Sequence, residues 1–321
     1  MVDHGYVLPT RGIVLDSDGA QDQLARTRSC STLARAAESM GFESVWAGDS
    51  VLAKPRLDPL STLAAVAAET DAIELGTAIH LPHLRRPVAV AQQAATVDLL
   101  SGGRLSLGVG VGSGASVATE HEQLGVPFDR RGRVLDETLD VIRGLWDGAI
   151  DTYDGDFVTL EDADIGLRPT GDLPIYVASA TFDPRDGYPK QIRRRIADHG
   201  DGWLPISKSP EMYAGGIDRA REIVDDAGRN PSAFGAAYYQ DIVIDETREA
   251  ALDQARDFIA AYYPEWGQMS DEQLERRGAF GPPSVVAEHL ERYADAGVET
   301  FVTRFATTDQ HAQLRRFREL L

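Results

Sequence analysis

Three stretches of this sequence carry residues of the kinds that move protons or cradle ligands. His80 lies near the end of the apolar run "IELGTAIHL" (Ile73 to Leu81), and Asp49 follows "SVWA" (Ser44 to Ala47). An imidazole titrates near neutral pH and suits proton donation. A carboxylate at a strand end suits hydrogen bonds to cofactor hydroxyls. The third stretch, "RLSLGVGVGSGAS", places Gly108, Gly110 and Gly112 on alternate positions of one strand. Glycine weakens a strand, because it is flexible and offers no side chain to pack. Gly76 and Ala78 repeat the bare face on the preceding strand, and Ala178 and Ala180 on the following one. Bulky neighbours such as Trp46 or Trp203 are one way to fill such a face. Three bare strands in a row point instead to a flat cofactor approached closely by backbone.

The elements that must position these residues alternate β and α along the chain. Strand candidates are "RGIVL" (Arg11 to Leu15), "SVWA", "IELGTAIHL", "RLSLGVGVG", "PIYVASA" (Pro174 to Ala180), "DGWLPI", "AAYYQDIVI" (Ala236 to Ile244) and "ETFVTRF" (Glu299 to Phe305). Each is followed by a helical pattern, several of them opened by Pro or stopped by Gly. Eight parallel strands with helical crossovers in 321 residues predict a (β/α)8 TIM barrel, with a doubly wound sheet as the alternative. The expectation is one domain over residues 1–321, with insertions near 147–173 and 264–281. In such a barrel the catalytic groups lie at the C-terminal ends of the strands. Gly110-x-Gly112-x-x-Ala115 loosely fits a dinucleotide fingerprint. It follows the fourth strand, however, and runs into what reads as a long loop, so a Rossmann unit is not expected.

Charge narrows the partners. Asp plus Glu number 51 against 32 Lys plus Arg, a net charge of −19, and only Lys54, Lys190 and Lys208 are lysines. That balance repels nucleic acid and anionic membranes. Scarce lysine with abundant acid matches the composition of salt-in halophiles, whose acidic surfaces need salt to screen self-repulsion. No apolar run approaches a membrane span, and no secretory signal is visible. Cys30 is the single cysteine, which fits a reducing, cytoplasmic setting.

In combination, the motifs "AESMGFESVWAGDS", "LGTAIHLPHLRRP", "AATVDLLSGGRLSLGVGVG", "RRGRVLDETLDVIRGLW", "PIYVASA", "GDGWLP" and "GPPSVVAEHLERYADAGVETFVTRF" make the chain similar to the bacterial luciferase-like superfamily. The resemblance covers nearly the whole length. It implies a (β/α)8 barrel that holds FMN or the deazaflavin coenzyme F420 in its mouth. It also implies a bulge in the third strand with a non-proline cis peptide against the cofactor ring, which by position is Ala78–Ile79. Phosphate contacts are implied at Gly110, Val111 and Gly112, and at Ser179, Ala180 and Thr181. Backbone amides and small hydroxyls suit a phosphate. The chain departs from the family at three places. Asp49-Ser50 stands where many members follow the acid with histidine, and serine is a poor general base without a partner. Ser113 stands where sugar-phosphate dehydrogenases place a glutamate. "TFDPRDGYPKQ" is longer than the usual glycine-rich turn. Neither light emission nor sugar-phosphate dehydrogenase chemistry therefore carries over.

The expected function is an oxidoreductase moving hydride between F420, slightly preferred, or FMN and a small organic substrate. Its candidate catalytic residues are His80, Asp49 and Ser50. A non-catalytic flavin-binding barrel and an F420-dependent pterin reductase are the alternatives. A homodimer is compatible with the family. Among further candidates, Arg304 suits an anionic substrate or cofactor tail, or else an ion pair. Lys190 and Lys208 suit phosphate or plain exposure, and His83 solvation. The histidines show no metal-ligand spacing, and no metal is expected.

Overall fold

The computed structural model describes residues 2–321. Strands β1 (Asp3–Val7), β2 (Ser44–Ala47), β3 (Glu74–His80) and β4 (Leu105–Val109) pair in chain order, all parallel. A short antiparallel hairpin follows, β5 (Tyr153–Asp154) with β6 (Thr159–Leu160). The barrel resumes with β7 (Ile175–Val177), β8 (Gly202–Trp203) and β9 (Gly235–Ile244), and β11 (Thr300–Phe305) closes it between β9 and β1. One further strand, β10 (Gly278–Gly281), pairs with the C-terminal half of β9 and extends the sheet beyond the barrel. The sequence-predicted barrel is therefore present, with eight parallel barrel strands. No helix among the described residues is long and apolar enough to cross a membrane.

Several helices begin or end where their sequences supply partners for orphan backbone groups. They are α1 (Gly12–Leu15), α2 (Ala20–Ser39), α3 (Pro59–Ala67), α4 (Pro87–Ser101), α5 (Ala115–Gln123), α6 (Arg131–Asp147), α7 (Lys190–Asp198), α8 (Pro210–Asp226), α9 (Arg248–Tyr262), α10 (Asp271–Glu275), α11 (Pro283–Asp295) and α12 (Gln310–Arg318). Asp58 caps α3 by accepting from the Ser61 amide at 2.9 Å, with Pro59 in the first turn. Gly102 and Gly148 end α4 and α6 in the left-handed conformation. The main core lies between barrel and helices, and on β4 Leu105, Leu107 and Val109 all face it.

Three local expectations need correcting. "RGIVL" is not the first strand: Gly12–Leu15 is a single helical turn, and the strand is the preceding "DHGYV". An apolar run of four cannot by itself distinguish a strand from a turn of helix. Residues 115–123, taken for loop, form α5, but no strand follows before α6, so no βαβ unit exists there. The polar stretch after α9 contains α10 and β10, joined to β9 by a second small core of Val243, Ala251, Leu252, Ala255, Ile259, Leu274, Phe280 and Ala306.

The bare glycine face also needs correcting in its lower half. Inside the barrel, Trp46 packs with Val7, Leu204, Ala237 and Val302. A Cβ on Gly76 would overlap the Trp46 ring, and one on Gly108 would overlap the Thr77 carbonyl. At these levels the small residues make room for protein. Above them, Ala78, Ile79, Val111, Gly112, Ala178 and Ala180 border open space.

Candidate functional site

A cavity of about 540 Å³ opens at the C-terminal mouth of the barrel. Its walls come from the ends of β3, β4, β7, β8 and β9 and from the segments that follow them. Ala78 and Ile79 belong to β3 at a register shift between Thr77 and His80, and the peptide bond joining them is cis, as the family resemblance implies. The Asp49 amide donates to the Ile79 carbonyl at 3.0 Å, which ties this bulge to the end of β2. Val111, Gly112 and Ser113 follow β4, and Ser179, Ala180 and Thr181 follow β7. The hydroxyls of Ser179 and Thr181 are 2.7 Å apart.

The cavity's charge sets it apart from the rest of the molecule. Lys54, Arg56, Arg131, Arg195 and Arg277 all line it, and no described Asp or Glu does. They come from four regions of sequence. Lys54 and Arg56 lie in the loop after β2. A Cβ on Gly48 would overlap the Arg56 guanidinium, so glycine there is what lets that side chain approach. Arg131 opens α6, and its buried Nε has no hydrogen-bond partner among the described residues. Arg195 projects from α7 and is held by Asp136 at 2.7 Å and by the Gly132 carbonyl at 3.0 Å. Arg277 precedes β10, where its Nε donates to Asp241 at 2.8 Å and its guanidinium lies 4.8 Å from the Trp266 ring centre.

The insertion around α10 supplies one side of the mouth. Tyr263 and Trp266 stack with ring centres 3.9 Å apart, and both line the cavity with Tyr239. The Lys54 ammonium lies 4.9 Å from the Tyr263 ring centre, a cation–π distance. Beneath them, Arg304 donates to both Asp241 oxygens at 2.7 and 2.9 Å, and to the Tyr263 hydroxyl at 2.9 Å. Burial alone would push the Asp241 carboxyl up, but Arg304 and Arg277 outweigh it and hold the group ionised. Of the two roles weighed for Arg304, the structure shows the ion pair.

Of the sequence-predicted site residues, the structure brings together Ala78, Ile79, Val111, Gly112, Ser179, Ala180 and Thr181 on the cavity wall. Gly110 lies just beneath, where a Cβ would overlap the Ile79 side chain. His80, Asp49 and Ser50 do not line the cavity. His80 is fully buried, with Nδ1 2.8 Å from Asp49 Oδ2 and Nε2 buried without a partner among the described residues. Asp49 also accepts from the Leu81 amide at 3.0 Å and from both terminal nitrogens of Arg85 at 2.6 and 3.0 Å. Burial opposes its charge, but His80 and Arg85 hold the carboxyl far below the usual range. Ser50 donates to Glu120 Oε1 at 3.0 Å. The same oxygen accepts the amides of Val51, Leu52 and Ala53 at 2.6, 2.7 and 3.2 Å. Lys190 is exposed, and Lys208 is buried with Nζ 3.4 Å from the Phe182 carbonyl; neither lines the cavity. His83, expected in solvent, is buried with Nε2 2.9 Å from Nε2 of His121.

Sequence reasoning missed the five cations, Tyr239, Tyr263 and Trp266. A signal did exist for the cations. In so acidic a chain, a basic residue just after a strand, as at Lys54 and Arg56, is worth noting.

The donor set fits an anionic, ring-bearing cofactor. Small residues flank the space, amides and hydroxyls cluster on one side, and cations surround it with no carboxylate among the described lining residues.

Comparison with known proteins agrees with this geometry. Residues 3–319 match the family described as luciferase-like monooxygenase. An F420-dependent glucose-6-phosphate dehydrogenase of Kineococcus radiotolerans is 30% identical over 308 residues, covering 88% of each chain. A 5,10-methylenetetrahydromethanopterin reductase of Archaeoglobus fulgidus is 26% identical over 305 residues, covering 83% of this chain and 86% of the relative. In fold, the chain superposes on an F420-dependent secondary alcohol dehydrogenase solved with an F420–acetone adduct. The TM-score is 0.81 at 20% identity, over 100% of this chain and 98% of that one. A monooxygenase of Streptomyces bottropensis gives 0.79 at 21% identity, over 99% and 98%. The chain therefore belongs to the luciferase-like monooxygenase family of oxidoreductases.

Proposed function

We propose that this protein is an F420-dependent oxidoreductase that moves hydride between the deazaflavin and a small organic substrate. The observation that carries this reading is the cavity whose described lining holds five cations and no carboxylate, in a chain of net charge −19. F420 bears a phosphodiester and an acidic glutamyl tail, whereas FMN bears one phosphate. Arg195 and Arg277 also pair with Asp136 and Asp241. Cations drawn from four regions of the chain suit anionic groups spread along a ligand better than a single phosphate. The F420-dependent relatives support the same choice.

Bound F420 would supply a hydride donor or acceptor at its central ring. The chain's part is to place that ring and hold its anions. Ala78, Ile79 and Val111 offer an apolar wall for the ring. The amides of Gly112 and Ser113 and the hydroxyls of Ser179 and Thr181 suit the phosphate, with Arg131 and Arg195 beside them. Lys54, Arg56 and Arg277 suit the acidic tail. His80 and Asp49, with Arg85, act as positioning residues that brace the β3 bulge from behind. Ser50 helps to fix the loop that carries Lys54 and Arg56.

Titration of the purified protein with F420 and with FMN, followed by fluorescence quenching, tests the reading. Tighter binding of F420, weakened by added salt, is the expected result. Equal or tighter binding of FMN would overturn it. Binding with no reoxidation of the reduced cofactor across a panel of carbonyl and imine acceptors would favour the non-catalytic alternative.

A further inference from the structure

The cavity has no histidine and no carboxylate among its described lining residues, so hydride transfer there needs another proton source. Apart from the Ser113, Ser179 and Thr181 hydroxyls and the Trp266 indole, which are far weaker acids, three described lining residues carry a transferable proton on something other than guanidinium: Lys54, Tyr239 and Tyr263. Tyr263 alone of the three has its polar atom fixed by a buried cation, through the 2.9 Å bond from Arg304 Nη1. Its hydroxyl accepts there and donates to nothing among the described residues, which leaves its own proton for a ligand. The ring is held from the other side by stacking on Trp266 at 3.9 Å.

We propose that Tyr263 is the proton donor and acceptor of this site, an inference that rests on the hydride-transfer reading above. In the reducing direction, a substrate C=O or C=N carbon takes a hydride from the reduced deazaflavin. The substrate's oxygen or nitrogen then takes the proton of Tyr263, so the phenolic O–H bond breaks as the new O–H or N–H bond forms. The phenolate left behind accepts from Arg304 and regains a proton from water. In the oxidising direction, the phenolate removes the alcohol or amine proton as hydride leaves for the oxidised deazaflavin.

The surroundings of the phenol support this. From the loop after β2 come Lys54 and Arg56, from β11 Arg304, and from the segment before β10 Arg277. Asp241 of β9 acts against ionisation of the phenol, and Tyr239 of the same strand interacts with it. Asp241 is already paired with two arginines. Burial alone would push the Tyr263 phenol up, but Arg304, Arg56 and Arg277 bring it below the ordinary value. Tyr239, by contrast, is driven well above that value by burial.

Ultraviolet titration of tyrosinate in the full-length, cofactor-free protein is the first test. One phenol should ionise ahead of the others, and Tyr263→Phe should remove that phase. Arg56→Gln should move it to higher pH. Superimposable wild-type and Tyr263→Phe curves up to about pH 10 would overturn the proposal. The second test follows reoxidation of reduced F420 by acetone and other small carbonyls. Tyr263→Phe should lower kcat about 100-fold while F420 affinity and KM stay within about twofold. An unchanged kcat would likewise overturn it. If wild type binds F420 and reoxidises it with no probe, the functional reading fails, and the tyrosinate titration still decides on Tyr263.

Discussion

Two cavities of similar size lie at opposite ends of this barrel. The one at the C-terminal mouth measures about 540 Å³ and the one at the N-terminal end about 640 Å³. The second is bordered by Val2, Met40, Leu290, Phe301 and Leu320, and its polar lining is His4, Glu43, Glu291 and Arg318. Burial pushes the His4 imidazole down to about 4, so it is neutral near pH 7. Among the described lining residues, the N-terminal cavity thus sets two carboxylates against one cation, while the mouth has five cations and no carboxylate. Volume alone would rank the wrong end first. A cationic lining, placed where parallel strands end, distinguishes a site suited to an anion from a surface cleft.

The comparison can be broken in several ways. Trp46 forms the packed layer under the mouth, so Trp46→Ala should cost about 3–5 kcal/mol of stability in urea unfolding. A cost under about 1 kcal/mol would mean that the barrel axis is not sealed there. Ala78→Phe should weaken F420 binding about 100-fold, equivalent to nearly 3 kcal/mol, by filling the ring wall. Ala287→Phe, in the N-terminal cavity, should leave binding within about twofold; equal effects at both ends would remove the distinction drawn here. Arg56→Gln should weaken F420 binding about tenfold at low salt, and Arg318→Gln should leave it unchanged.

Acid should act on the whole fold through its buried imidazoles. Burial holds His4 and His289 down to about 4, and His83, also repelled by His121, down to about 3. The unfolded chain protonates these rings near pH 6.5. It therefore binds protons that the native state refuses. Their contribution to stability is complete above about pH 6.5 and falls as pH drops toward 4 and then 3. The urea midpoint should decline from pH 7 to pH 5, and His289→Gln should flatten that slope. The smallest expected effect comes from salt. Raising KCl from 0.1 to about 2 M should raise the melting temperature by about 5 °C, by screening the acidic surface. The same salt should weaken F420 binding, and a common direction for both would contradict the charge asymmetry.

Much of this was legible in the sequence. The alternation of strand and helix patterns placed the barrel, because that periodicity is local, whereas the bulge at Ala78–Ile79 and the turn at Ser179 to Thr181 were implied by the family resemblance. The lower glycine face misled, because a bare strand face reads the same whether a ligand or Trp46 fills it. The cations were not legible as a group, because Arg56, Arg131, Arg195 and Arg277 are dispersed along the chain and only barrel closure brings them together. Trp266 and Tyr263 lay in a stretch with no periodicity, fixed by the small core of β10 and α9 rather than by a local pattern. His83 was misjudged for a related reason: its partner His121 is on a helix that reads as loop.

The single oxygen of Glu120 that gathers three successive amides and a serine hydroxyl has a mechanical consequence. Glu120 belongs to α5, and the groups it gathers belong to the loop carrying Lys54 and Arg56. The helix and the loop are thus riveted at one point. Because the Lys54 ammonium also lies 5.7 Å from the Trp266 ring centre, that one carboxylate steadies the rim where Trp266 stands as well.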